Sequence, residues 1–140
     1  MPVSDPFNLQ RFVDAQSSVL EDVQVELKAG VKTSHWMWFI FPQIRGLGSS
    51  SVSREFAISS REEAEAYLNH PILGPRLKEC TRLVLSVEGK SSADIFGYID
   101  DMKFRSSMTL FAEVSQDPIF SEALKKYFRG VPDALTLRLL

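Results

Sequence analysis

Apolar residues recur at helical spacing through most of the chain. Leu73, Leu77, Cys80, Val84 and Val87 follow one another at alternating intervals of four and three residues, so they share one face of a helix. Shorter stripes of the same kind run through residues 19–27, 64–68 and 120–128. The pattern predicts an all-α fold, in which residues 1–140 form one domain of seven to nine short helices.

Helix ends carry recognisable signals as well. Ser18 with Glu21 and Ser60 with Glu63 have the spacing of a capping box, in which each side chain covers the other residue's free backbone N–H group. Gly30 follows the first of these helices and is typical of a left-handed C-terminal cap. We therefore expect one helix to run from residue 19 to residue 29 and another to begin near residue 61.

Residues 99–113 differ from the other helical segments because they are apolar on two sides. One face carries Ile99, Met102, Ser106 and Leu110, and the nearly opposite face carries Phe104, Met108 and Phe111. A helix of this kind packs against neighbours on both sides, so we expect it to be the central helix of the fold. Its charged residues then either pair, as the i, i+4 spacing of Asp101 and Arg105 allows, or line a polar crevice.

Residues 34–43 form the most aromatic stretch of the chain, with the sequence SHWMWFIFPQ. The stretch is too short to cross a bilayer and too apolar to lie in water. Its side-chain spacing fits a helix or a strand. The helical surroundings favour a helix that ends at Pro42, with Trp36 in the core and Trp38 either in the core or beside a ligand.

Charge and composition narrow the functional classes. The net charge of −2 provides no basic surplus for nucleic acid or for an anionic membrane. Cys80 is the only cysteine, which excludes an intramolecular disulfide and a cysteine-based metal site, and we expect no metal or cofactor. No leader segment or long apolar run is recognisable, so we expect a cytoplasmic protein that is not attached to a membrane.

Two residues are candidates for proton transfer. His35 carries the side chain best suited to acid–base chemistry near neutral pH, and Asp101 offers a carboxylate on the central helix. The alternative for His35 is a structural role at a helix start, with its ring packed on Trp38. The alternative for Asp101 is an internal ion pair.

A larger group has the chemistry of an anion-binding site. Cationic side chains would hold the anion, backbone N–H groups at glycines would support it, and a tryptophan would stack on a flat ring. The group comprises Lys32, Trp38, Gln43, Arg45, Gly46, Gly48, Lys103, Arg105, Ser106 and Ser107. The alternatives are an ordinary loop after residue 45 and a salt-bridge network on the central helix.

Several sequence words resemble those of the domain-of-unknown-function family 1810. They are LQRFVDAQ at residues 9–16, SHWMWFIFPQ at 34–43, GLG at 46–48, HPILGPRL at 70–77 and KFRSSMTLF at 103–111. The resemblance runs from about Asp5 to Leu140. It implies a mainly bacterial family of helical, single-domain, cytosolic proteins, and it supplies no activity, cofactor or catalytic residue.

These observations lead to two functional hypotheses. In the first, the protein binds or acts on a small anionic metabolite, such as a nucleotide or an ADP-ribose-like molecule. Its site is a cleft between residues 34–48 and residues 99–113, where Arg45 and Arg105 hold the anion and Trp38 stacks on the base. In the second, the protein is a non-catalytic adaptor whose exposed face binds another protein. The sequence leaves open whether the protein is an enzyme.

Overall fold

Nine helices make up the fold over residues 4–140, the part of the chain that the computed structural model describes. They are α1 (Gln10–Ser17), α2 (Leu20–Ala29), α3 (Met37–Ile40), α4 (Ser51–Glu55), α5 (Arg61–Asn69), α6 (Leu73–Leu85), α7 (Ser92–Val114), α8 (Ile119–Phe128) and α9 (Ala134–Leu139). The only β-type pairing in this part is one parallel bridge between Ile44 and Ile58. The all-α prediction is confirmed.

Helix α7 is central, as its two-sided pattern predicts. It packs against α3, α5, α8 and α9, and Phe104, Met108 and Phe111 are fully buried. The other predicted face is only partly covered, since Ile99 and Met102 are 76% and 52% exposed. Residues 92–96 form a short helical segment that a kink at Gly97 separates from the long central part of α7, because the φ of 85° and ψ of 166° at Gly97 are not helical.

The capping predictions had different outcomes. Gly30 ends α2 with a φ of 75°, and Ser60 caps α5 by accepting a hydrogen bond from the backbone N–H group of Glu63. The Ser18 capping box is wrong, because Ser18 is the C-cap residue that follows α1 and keeps a helical backbone. An N-cap needs an extended backbone to turn its side chain onto the helix.

The entry to the aromatic stretch is held by one buried carboxylate. Glu26 accepts hydrogen bonds from the backbone N–H groups of Thr33 and Ser34, from the Ser34 hydroxyl, and from Nε1 of Trp36 at 3.0 Å. Burial by itself raises the pKa of Glu26, but these donors outweigh it and lower the pKa to about 2. Trp36 is thereby fixed in the core, where it is 1% exposed.

The aromatic stretch is less helical than the sequence predicts. Only Met37–Ile40 forms a helical turn, and the chain leaves the helical region at Phe41. Gln16 replaces part of the missing backbone pairing, because its side-chain N–H group donates to the Phe39 carbonyl at 2.7 Å. Between residues 4 and 140, no helix is long and apolar enough to span a membrane.

Candidate functional site

The space between residues 34–48 and α7 is filled by aromatic side chains. The Phe41 ring lies 5.0 Å from the Phe104 ring and 6.0 Å from the Phe96 ring, both at nearly right angles. Phe96 and Phe104 stack at 4.7 Å. Of the five cavities described within residues 4–140, none is lined by both segments. The cleft expected from the sequence is therefore replaced here by core packing.

Two cations of the predicted anion site, Lys32 and Lys103, do meet, but both are paired with the same carboxylate, that of Asp100. Lys32 Nζ lies 2.7 Å from Oδ2 of Asp100, and Lys103 Nζ lies 2.9 Å from Oδ1 of the same carboxylate. Burial raises the pKa of Asp100, and the two ammonium groups more than reverse this, so the pKa is lowered. Lys103 Nζ also lies 5.2 Å from the Trp38 ring centroid, so a cation already covers this ring.

The two glycines of the loop are constrained by packing. A Cβ atom on Gly48 would lie 2.6 Å from Oγ of Ser53 and 3.0 Å from the Trp38 ring, so a larger residue cannot fit without a shift. Gly46 has a φ of 105° and lies against Leu139. Both features explain why glycine is needed in this loop without requiring a ligand.

Asp101 and Arg105 do not pair with each other. Arg105 donates from Nε to the Val131 carbonyl at 3.0 Å and from its terminal nitrogen to the Pro132 carbonyl at 3.1 Å. Asp101 has one oxygen 3.5 Å from the Ser92 hydroxyl, and its other oxygen is buried without a donor among residues 4–140. The Arg105 guanidinium group, which was predicted to bind an anion, instead holds the segment before α9.

The two serines that follow are buried. Ser106 donates to the Met102 carbonyl at 3.1 Å and lies 3.3 Å from the Asp133 carboxylate. Ser107 is fully buried, and its hydroxyl has no partner in the described part of the chain. The Ser107 hydroxyl is closed off from solvent, and the Ser106 hydroxyl is used within the fold, so their contact with a ligand stays a prediction.

The remaining predicted residues are His35, which precedes α3, and Gln43 and Arg45, which follow it. His35 is exposed and forms no hydrogen bond within residues 4–140, so its catalytic role stays a prediction. Gln43 is buried, and its side-chain N–H₂ group has no partner in the described residues. The Gln43 carbonyl accepts from the Ile58 N–H group, and the Arg45 N–H group donates to the Ile58 carbonyl, both at 2.8 Å. This bridge places Arg45 beside the chain that follows α4.

Arg45 opens onto a polar cavity of about 330 Å³, which we call the arginine pocket. Its lining residues are Pro6, Phe7, Asn8, Arg11, Arg45, Arg54, Glu55, Ala57, Ser59 and Glu63. Arg45 and Arg54 are exposed, and neither side chain forms an ion pair or hydrogen bond within residues 4–140. Each guanidinium group therefore presents five free N–H donors.

Arg11 shapes the wall of the arginine pocket. Its terminal nitrogen lies 2.9 Å from the Glu63 carboxylate, and the Arg11 side chain is only 16% exposed. The other N–H groups donate to the carbonyls of Phe7, Asn8, Glu55 and Ala57 at 2.5 to 2.9 Å. Glu63 also accepts from the N–H and hydroxyl groups of Ser59. The pair is saturated, so it gives shape to the pocket without adding free charge.

In the other four cavities described within residues 4–140, no lysine or arginine is without a partner. The cavity of about 630 Å³ beside α6 contains Lys78 and Arg82, which pair with Asp117 at 3.4 Å and with Glu79 at 3.5 Å. In the cavity of about 640 Å³ near the N-terminal turn, the Asp5 carboxylate accepts from two backbone N–H groups. His70 borders both cavities, and its Nδ1 atom caps α6 by accepting from Ile72 and Leu73.

Two other kinds of site find no support in the part of the chain that the structure describes. No three His, Cys, Asp or Glu residues lie close enough to hold a metal ion. Cys80 is buried, and burial raises the pKa of its thiol to about 12, so it is not a nucleophile at neutral pH.

Sequence reasoning missed Arg11 and Arg54. Arg11 gives no local signal, because its partners in the chain after α4 and on α5 are 44 to 52 residues away. Arg54 joins Arg45 only because the bridge between Ile44 and Ile58 brings the two segments together.

Comparison with known proteins identifies similar proteins, and their descriptions state no activity. A family model described as "Protein of unknown function (DUF1810)" matches residues 6–140. The crystal structure of the conserved hypothetical protein Rv1873 from Mycobacterium tuberculosis is similar, with a TM-score of 0.96 and 55% sequence identity. The match covers 97% of this chain and 98% of that chain. A search of curated proteins gives no match.

Proposed function

This chain belongs to the DUF1810 family of unknown function, and we propose that it binds a small anionic molecule in the arginine pocket. One observation carries the proposal. Arg45 and Arg54 line the same cavity of about 330 Å³, and neither has a partner within residues 4–140. Guanidinium groups that share a cavity and are not paired with a carboxylate are suited to bidentate recognition of phosphate or carboxylate.

The charge balance of the pocket supports the same proposal. Arg11 and Glu63 cancel, which leaves Arg45 and Arg54 against Glu55. The pocket is therefore locally positive on a chain whose net charge is −2. A positive concavity attracts anions even where the whole protein does not.

The proposed site differs from the one expected from the sequence. Arg45 keeps the role it was given there, and Arg54 replaces Arg105 as its partner. Lys32, Lys103 and Trp38 lie outside the pocket, so stacking on Trp38 is not part of the proposal. Proton transfer by His35 or Asp101 stays a prediction, because neither residue lines the pocket.

A thermal-shift series tests the proposal. The purified protein is heated with phosphate, sulfate, AMP or sugar phosphates at constant ionic strength. A ligand at 100 times its dissociation constant stabilises the folded state by about 2.7 kcal/mol, which raises the melting temperature by several degrees. Arg45→Ala and Arg54→Ala should each remove the shift.

Arg138→Ala is the matched control, because Arg138 is exposed on α9 and does not line the pocket. It should retain the full shift. A series in which no anion raises the melting temperature, or in which both pocket variants respond like the control, would contradict the proposal.

A second candidate function is that of an adaptor, and one observation favours it. Tyr98, Ile99 and Met102 are 88%, 76% and 52% exposed on α7, directly after the kink at Gly97. A cluster of exposed apolar side chains is typical of a protein-binding surface. The partner would be another protein with a complementary apolar patch.

Replacing Tyr98, Ile99 and Met102 by serine tests the adaptor function. Sedimentation equilibrium of the wild type and the triple variant first shows whether a second copy of this chain is the partner. A partner that binds both forms with equal affinity would remove the support for this surface. The anion response should be unchanged in the triple variant, because the arginine pocket lies elsewhere.

A further inference from the structure

The lining of the arginine pocket combines two guanidinium groups and one carboxylate, that of Glu55, none of which has a side-chain partner within residues 4–140. We infer that its ligand is a phosphate monoester of a small polyhydroxyl compound, such as a sugar phosphate. In this arrangement Arg45 and Arg54 bind the phosphate, and Glu55 accepts hydrogen bonds from hydroxyl groups. The inference rests on the proposed anion-binding function and names the class of ligand for the same site.

The two arginines favour a phosphate group over a single carboxylate. Arg45 and Arg54 together present ten N–H donors, since each guanidinium group has five. A phosphate monoester carries three acceptor oxygens and a charge of about −1.5 to −2 at neutral pH. A carboxylate carries two oxygens and one charge, so it leaves more of the donors without an acceptor. Two free arginines are therefore better matched by a phosphate group.

The Glu55 carboxylate favours a ligand that also donates hydrogen bonds. Glu55 lines the cavity, and its side chain forms no hydrogen bond or ion pair within residues 4–140. A carboxylate only accepts hydrogen bonds, so the ligand group beside it must donate. Asn8 and Ser59 add further oxygens to the lining, and the Ser59 hydroxyl is already oriented by donation to Glu63 at 2.7 Å. Hydroxyl groups satisfy these acceptors, whereas a second phosphate would be repelled.

The size of the pocket limits the ligand further. Its volume of about 330 Å³ is at the lower end of the range of roughly 300–1,000 Å³ that is usual for ligand sites. Phe7 is the only aromatic residue in the lining, and neither tryptophan reaches the cavity. A purine would lack a pair of apolar walls in this lining. A compact phosphorylated polyol matches both the volume and the polar lining.

Isothermal titration with four probes tests the inference: inorganic phosphate, ribose, ribose 5-phosphate and AMP. Ribose 5-phosphate should bind at least about tenfold more tightly than inorganic phosphate, because a hydrogen bond to a charged group contributes roughly 1.5–3 kcal/mol. Glu55→Gln should weaken ribose 5-phosphate by about tenfold and should not weaken inorganic phosphate, which loses only the repulsion of a like charge. Glu65→Gln, an exposed change on α5 outside the pocket, is the matched control.

The outcomes separate this inference from the proposed function. If phosphate and ribose 5-phosphate bind equally, or if Glu55→Gln weakens both alike, the polyol class is wrong while anion binding stands. If AMP binds more tightly than ribose 5-phosphate, the ligand is a nucleotide and the inference is again overturned. If Arg54→Ala changes the affinity of no probe, or if no probe binds, the proposed function itself fails.

Discussion

Arg11 and Arg45 border the same cavity, and their surroundings differ in almost every respect. All the N–H groups of Arg11 are used, by four backbone carbonyls and by the Glu63 carboxylate. Arg45 is exposed and has no partner within residues 4–140. A saturated, half-buried guanidinium group holds chain segments together, whereas a free one is available to a ligand. The comparison therefore separates structural charge from charge that can act on another molecule.

Removal of Arg11 should have the largest effect on stability. Arg11→Met leaves the Glu63 carboxylate, which is 2% exposed, without its cation, and it also leaves four carbonyls without their donor. Breaking a buried ion pair in this way costs about 3–5 kcal/mol. Urea unfolding at neutral pH measures the loss. The double variant Arg11→Met/Glu63→Gln should recover part of it, and an Arg11→Met protein as stable as the wild type would contradict the structural role.

Glu26 extends the comparison to a saturated carboxylate. Its pKa in the folded state is about 2, against an ordinary value of 4.5. Because the folded pKa is lowered, the ionised group contributes stability above about pH 4.5 and loses it as the pH falls towards 2. The ionised carboxylate therefore contributes on the order of 3 kcal/mol to the free energy of unfolding at neutral pH.

Glu26→Gln should therefore lower the free energy of unfolding by about 2–3 kcal/mol at pH 7, since glutamine keeps an acceptor but loses the charge. The gap between variant and wild type should close as the pH is lowered from 4.5 to 2. Urea titrations at several pH values measure both effects. A gap that stays constant over this range would show that the charge of Glu26 does not hold the segment.

The two histidines differ in the same way, and their substitution should have a smaller effect on stability. Nδ1 of His70 caps α6, and His35 has no hydrogen bond within residues 4–140. His70→Ala should cost about 1 kcal/mol, as expected for loss of an N-terminal cap, and His70→Asn should retain most of the stability. His35→Ala should change stability by less than about 0.5 kcal/mol. Thermal unfolding of the three variants tests the contrast, and equal losses at the two positions would contradict it.

The free arginines should have the smallest effect of all. Arg45→Ala and Arg54→Ala remove exposed side chains without partners in the described chain, so each should change the unfolding free energy by less than about 0.5 kcal/mol. Urea unfolding without added anions is the measurement. A loss of more than 1 kcal/mol in either variant would mean that the side chain has a structural partner and is not free for a ligand.

Much of the fold could be predicted from the sequence, and much less of the candidate site. The 4 and 3 spacing from Leu73 to Val84 predicts the buried face of α6, and the two-sided pattern predicts the central position of α7. Of the predicted site residues, Lys32 and Trp38 lie near Lys103 in the structure, and their predicted role in binding a ligand stays a prediction. The prediction did not include Asp100, which lies between the two lysines and pairs with both.

The positions of helices were determined by the sequence itself, because hydrophobic periodicity and terminal signals such as Gly30 act over a few residues. Only the tertiary structure decided which cations are free. Arg105 binds carbonyls 26 and 27 residues away, and Arg11 binds groups up to 52 residues away. Arg45 and Arg54 meet no such group within residues 4–140. A charged side chain carries no local mark of its partner, since that partner is brought near only when distant segments pack together.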